Sequence, residues 1–159
     1  MPETLLPLVL IGPVLIATIL SDLRHLRIPN SYCLAGLLVF AAGALAWPPQ
    51  DLPYRLIVAG AIFLAGYAGF ARGLVGGGDV KILAVLMLFI PVPTLVIFAN
   101  LLSFSLFFGV AILLALRRLP TAPPAGWTGI WGSRGFPMGL SIGMAGLMHP
   151  WVVFWLAGA

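Results

Sequence analysis

Apolar runs, most of them near the length a helix needs to cross a bilayer, follow one another along almost the whole chain. About twenty such residues span the hydrocarbon as a helix, and irregular backbone cannot face lipid because its amides and carbonyls go unsatisfied. We read spans at Leu5–Leu20, Ser31–Trp47, Arg55–Phe70, Val80–Ile90, Thr94–Leu116 and Met138–Ala157. Breakers separate them: Pro29-Asn30, Pro48-Pro49 with Asp51 and Pro53, Gly76-Gly77-Gly78, and Pro91-Val92-Pro93. The expected fold is therefore all-α, a polytopic bundle of about six transmembrane helices in a single domain. The fourth span is short, so it either begins inside the membrane or runs past Pro91 as a kinked helix.

With 62% hydrophobic and 8% charged residues, a water-soluble domain is excluded, since such a surface needs about a quarter charged residues. The net charge of +4 raises the question of a nucleic-acid partner, and the positions of the basic residues answer it. Six spans place Arg24, Arg27, Arg72, Lys81, Arg117, Arg118 and Arg134 on one side and Arg55 on the other. The positive-inside rule makes the first side cytoplasmic, with both termini outward, as expected of a bacterial inner-membrane protein. Spread over three loops, the charge calls for no nucleic acid. The segment from Arg117 to Pro137, with Trp127 and Trp131, suits a loop resting at the lipid interface. No basic region precedes the first apolar run, so a cleaved signal peptide is not expected.

Cys33 is the single cysteine, which excludes a disulfide framework and a cysteine-based zinc site. His25 has no partner cluster, and His149 reads as a packed or interfacial residue of the last span. No cofactor and no metal are expected. Met138, Met144 and Met148 share their helix with Gly139, Gly143 and Gly146, a pattern of close helix packing.

Acidic residues carry the functional signal. Glu3 and Asp51 fall in outward segments, whereas Asp22 and Asp79 both fall at cytoplasmic helix ends. An ionisable group near hydrocarbon is costly, and two on one membrane face point to chemistry. The alternative for Asp22 is a solvated interfacial residue, and for Asp79 an N-cap of the following helix. Gly76, Gly77 and Gly78 allow close backbone approach and a slot for an extended peptide. A phosphate loop needs Lys and then Ser or Thr after its glycines, but Asp79-Val80-Lys81-Ile82 follows here.

Gly76-Gly77-Gly78-Asp79 is similar to the Gly-x-Gly-Asp signature of intramembrane aspartyl proteases, with Lys81 matching the extended form seen in prepilin peptidases. Asp22-Leu23-Arg24-His25-Leu26-Arg27-Ile28-Pro29-Asn30 resembles that family's first-aspartate segment, and Phe136-Pro137-Met138-Gly139-Leu140-Ser141-Ile142 resembles the start of its last helix. In extent the chain looks like the small Flp/Tad-type members, without the methyltransferase region of larger ones. The resemblance implies hydrolysis of a prepilin leader at the cytoplasmic border by Asp22 and Asp79 jointly, the pair sharing one proton around a water. The implied partners are the leader and helix of a pilin, the bilayer and a pilus assembly machinery. Gly76, Gly77, Gly78 and Lys81 are expected to shape the loop or touch substrate, Lys81 being equally readable as a snorkelling anchor. A competing class is a proton- or cation-coupled transporter using the paired aspartates, although no internal repeat supports it. A third is a non-catalytic membrane subunit whose Gly-Asp turn only caps a helix.

Overall fold

A computed structural model describes residues 7–118 and 136–158. These residues form six α-helices and one 3₁₀ turn: α1 (Gly12–His25), α2 (Asn30–Ala46), α3 (Leu52–Ala71), α4 (Gly77–Phe89), the 3₁₀ turn Val92–Thr94, α5 (Leu95–Arg118) and α6 (Met138–Gly158). A helical turn precedes α1, so its apolar stretch runs Pro7–His25. That stretch, α3, α5 with the 3₁₀ turn, and α6 are long and apolar enough to cross a membrane, while α2 is shorter. The fold is an all-α polytopic membrane bundle, as expected. The interfacial loop with Trp127, Trp131 and Arg134 lies outside the described residues.

Helix ends follow local chemistry. α1 stops where Leu26 turns left-handed at φ 50° and gives its amide to the Asp22 carbonyl, a C-terminal turn usually left to glycine. Pro29 holds the entry to α2 extended. Pro53 sits in the first turn of α3, where its missing amide costs nothing. Gly73, at φ 72°, turns the chain out of α3.

Two boundaries differ from the sequence reading in ways that affect the site. α1 continues through His25, so Asp22 sits inside its last turn instead of after the span. α4 begins at Gly77, so Asp79 is its third residue and Gly76, not Asp79, is the cap. The question at Pro91 is also answered: α4 ends at Phe89, and Ile90 is extended as the residue before a proline must be. The chain re-enters helix only after the 3₁₀ turn.

α4 is the axis of the bundle. It packs against α3, α2 and α6, while α6 also packs on α1 and α5. Ile82 and Ala84 through Phe89 are all buried, which is why α4 is apolar all round instead of striped. Glycines set the close approaches expected of membrane helices. A Cβ on Gly146 would lie 2.8 Å from Leu15 and 3.0 Å from Leu86, bringing α6 against α1 and α4 at one point. Gly143 is pressed against Ile19 and Leu15 in the same way.

At the far end of α4, Arg55 is only 3% exposed. Its Nε donates to Asp51 Oδ1 at 2.7 Å, and its other guanidinium arm donates to the carbonyls of Leu88 and Phe89 at 3.2 and 3.1 Å. Asp51 Oδ2 in turn accepts the Val92 amide at 2.9 Å. Two side chains thus tie the start of α3, the end of α4 and the 3₁₀ turn together. His149 lies at this same end, fully buried, its ring edge-on to Phe98 and its Nε2 3.4 Å from the Thr94 carbonyl.

Candidate active site

The opposite end of the bundle holds the two aspartates. A cavity of about 440 Å³ is lined by Asp22 at the end of α1, by Leu26 to Asn30 of the following turn, and by Gly76 to Asp79 at the start of α4. The two motifs singled out from the sequence, more than fifty residues apart, therefore form the walls of one space. Asp22 and Asp79 are close enough there to feel each other's charge.

Each carboxylate is held differently. Asp22 is 4% exposed, and its Oδ2 accepts the backbone amide of Gly139 at 2.7 Å. That amide belongs to the first turn of α6, whose donors have no partner within the helix. Asp79 reaches back to the backbone of Gly76, as an acid three residues into a helix can. Its Oδ1 is buried and has no hydrogen-bond partner.

The glycines are there for space. A Cβ on Gly78 would meet Ile28 Cβ at 3.0 Å and the Ile28 carbonyl at 3.2 Å, so the start of α4 abuts the turn after α1 backbone to backbone. Gly77 lies against the Phe70 ring, and a side chain on Gly76 would collide with the Asp79 carboxylate. Lys81 is exposed, and its ammonium donates to Asn30 Oδ1 at 2.9 Å, joining the fifth residue of α4 to the first residue of α2. Ser21 Oγ donates to the Arg27 carbonyl at 2.8 Å and holds the turn from below.

All the sequence-predicted site residues except Lys81 line the cavity, and Lys81 bonds to a lining residue. Gly139 was read only as a packing residue. Its contact with Asp22 spans 117 positions, and the one signal for it in the sequence is the likeness of Phe136–Ile142 to the start of a family helix.

Comparison with known proteins gives a consistent picture. A model of the type IV leader peptidase family matches residues 9–116, which include both aspartates and every residue that lines the cavity, though not Gly139. The chain is similar to a prepilin leader peptidase/N-methyltransferase of Bacillus subtilis (strain 168), 36% identical over 128 residues, covering 75% of this chain and 51% of the relative. The chain thus spans about half the length of that curated relative. No solved structure matches it.

Proposed function

The chain belongs to the type IV leader peptidase family, and from that premise we propose that it is an intramembrane aspartyl endopeptidase that removes the leader of Flp-type prepilins. The observation that carries this reading is the meeting of Asp22 and Asp79 across one cavity whose remaining walls are the glycines Gly76 to Gly78 and the turn from Leu26 to Asn30. The site lies at the cytoplasmic border of the inner membrane, with both termini outward, in agreement with the distribution of basic residues. The pilin and its assembly machinery are the partners, and no cofactor takes part.

The chemistry follows from the carboxylates. Two acids this close do not both ionise readily, so the pair shares a proton around the attacking water. One takes a proton from the water while the other gives one to the scissile carbonyl oxygen. Gly76, Gly77 and Gly78 leave room for a substrate backbone in extended form, which a helical peptide must adopt before its carbonyl can be attacked. Lys81, through Asn30, fixes the distance between the two cavity walls.

The deciding assay is purified protein in liposomes with a full-length pilin precursor. Appearance of the mature pilin, requiring both aspartates, supports the peptidase; pH-driven ion flux without cleavage supports a transporter and sinks the reading. A graded test uses two glycines. Gly78→Ala is expected to slow cleavage by about 10-fold or more, since a contact at 3.0 Å against Ile28 moves Asp79 relative to Asp22. Gly60→Ala, on α3 with nothing within 4 Å of its Cβ, is expected to leave cleavage unchanged and to stabilise the helix by about 0.5–1 kcal/mol. Equal rates for the two variants would show that the glycine wall has no part in placing Asp79.

A further inference from the structure

The aspartates are not equivalent, and the difference comes from an element outside both motifs. We propose that the first turn of α6 is the third part of the site, with Gly139 as a positioning residue whose amide holds Asp22 as the carboxylate that activates water, leaving Asp79 as the proton donor. This rests on the peptidase reading and deepens it by dividing the two roles.

Three observations carry the assignment. First, an amide can only donate, so the 2.7 Å bond from Gly139 to Asp22 Oδ2 requires an acceptor oxygen and favours the charged form. The donor stands in the first turn of the 21-residue helix α6, with Leu140 beside it as a second backbone donor to Asp22, whereas the backbone donor to Asp79 is Gly76. Secondly, Asp79 Oδ1 is buried with no hydrogen-bond partner, so a negative charge on that oxygen goes uncompensated and the protonated form is favoured. Thirdly, the residue at 139 is built for contact: a Cβ there would stand 2.8 Å from Asp22 Oδ2 and 3.0 Å from Ile28 Cδ1, so only glycine lets the helix end come this close. The other charged groups around Asp22 are Asp79 from α4 and Arg27 in the same cavity wall, with Arg24 and His25 in its own last turn. Among the described residues, the start of α6 offers it the backbone amides of Gly139 and Leu140.

The reaction then runs with fixed roles. Asp22 takes a proton from water as the water oxygen bonds to the scissile carbonyl carbon, and Asp79 passes its proton to the carbonyl oxygen, giving a gem-diol. On collapse the carbon–nitrogen bond breaks, the leaving nitrogen takes the proton from Asp22, and a hydroxyl of the gem-diol returns one to Asp79. The products are a carboxylic acid and an amine, and both aspartates regain their starting forms.

The test replaces the amide without adding a side chain. Glycolic acid incorporated at position 139 puts an ester oxygen where the N–H stands, and cleavage of a pilin precursor is followed between pH 5 and 9 beside unmodified protein and Gly139→Ala. Loss of a donor to a carboxylate disfavours its charged form. The ester protein is therefore expected to cleave about 10-fold more slowly on the acidic limb, which moves up by about one pH unit, and to recover at higher pH. Gly139→Ala, which keeps the amide but crowds Asp22, is expected to lose rate at every pH. An ester protein slowed equally at all pH values, or not slowed at all, overturns the assignment while leaving the peptidase in place. Absence of cleavage by the unmodified protein removes both together.

Discussion

Asp22→Asn and Asp79→Asn are each expected to reduce prepilin cleavage by about 10³-fold or more, because an amide can neither take a proton from water nor give one back in a cycle that needs both transfers. Both variants are expected to insert and fold. Asparagine at position 22 still offers an acceptor to the Gly139 amide at the distance Asp22 now holds. At position 79 it removes a carboxylate from a half-buried site where one oxygen lacks any partner, which relieves a desolvation cost. The measurement is conversion of a pilin precursor by protein of equal abundance and equal thermal stability in detergent. Cleavage by either variant within tenfold of the parent ends the two-carboxylate mechanism.

The second large effect belongs to the other end of the bundle and to stability. Arg55→Met is expected to lower unfolding free energy by about 3 kcal/mol, since it leaves partners of a buried charged network unmatched. The Leu88 and Phe89 carbonyls lose the only donors described for them beyond the helix, and Asp51 loses its ion pair. Methionine fills much of the arginine stem's volume, so the loss reports on hydrogen bonds more than on packing. A fall in the thermal midpoint in detergent, with the cleavage rate of the remaining folded protein near the parent's, is the expected pattern; an unchanged midpoint rules the clamp out as a stabilising device. Acid probes the same network. Burial works to raise the Asp51 carboxyl, but the Val92 amide and Arg55 outweigh it and hold the group below its ordinary value of 3.8. Its contribution is therefore present above that value and is lost as pH falls through the lower value of the folded state.

The bundle was readable because every span must satisfy its own backbone and cover itself with apolar side chains, which leaves plain marks in the sequence. Glycine and proline clusters set the boundaries to within a few residues, and the cavity walls were readable because Asp22 and Asp79 are two of the chain's four acidic residues. Helix rotation is a different matter. Nothing in residue order tells that Asp22 faces α6, since the group it touches is the backbone amide of Gly139 and backbone amides are the same at every position. Arg55 was hidden for the same reason. It reads as an outward topology charge, but two of its three hydrogen-bond partners are the carbonyls of Leu88 and Phe89, which no side-chain pattern announces. Asp79 was misplaced by three positions relative to its cap because a triple glycine gives no side-chain cue to where helix begins.

The central helix has only 13 residues. At about 1.5 Å per residue it measures roughly 20 Å, some 10 Å less than the thickness of a bilayer's hydrocarbon, while its neighbours α3 and α6 carry 20 and 21 residues. That deficit makes bilayer thickness a variable the protein must feel: lipid can match the outer helices or the inner one, not both. Liposomes of short and long acyl chains therefore impose opposite mismatches on the same protein, and the depth to which water must descend to reach the aspartates changes with them.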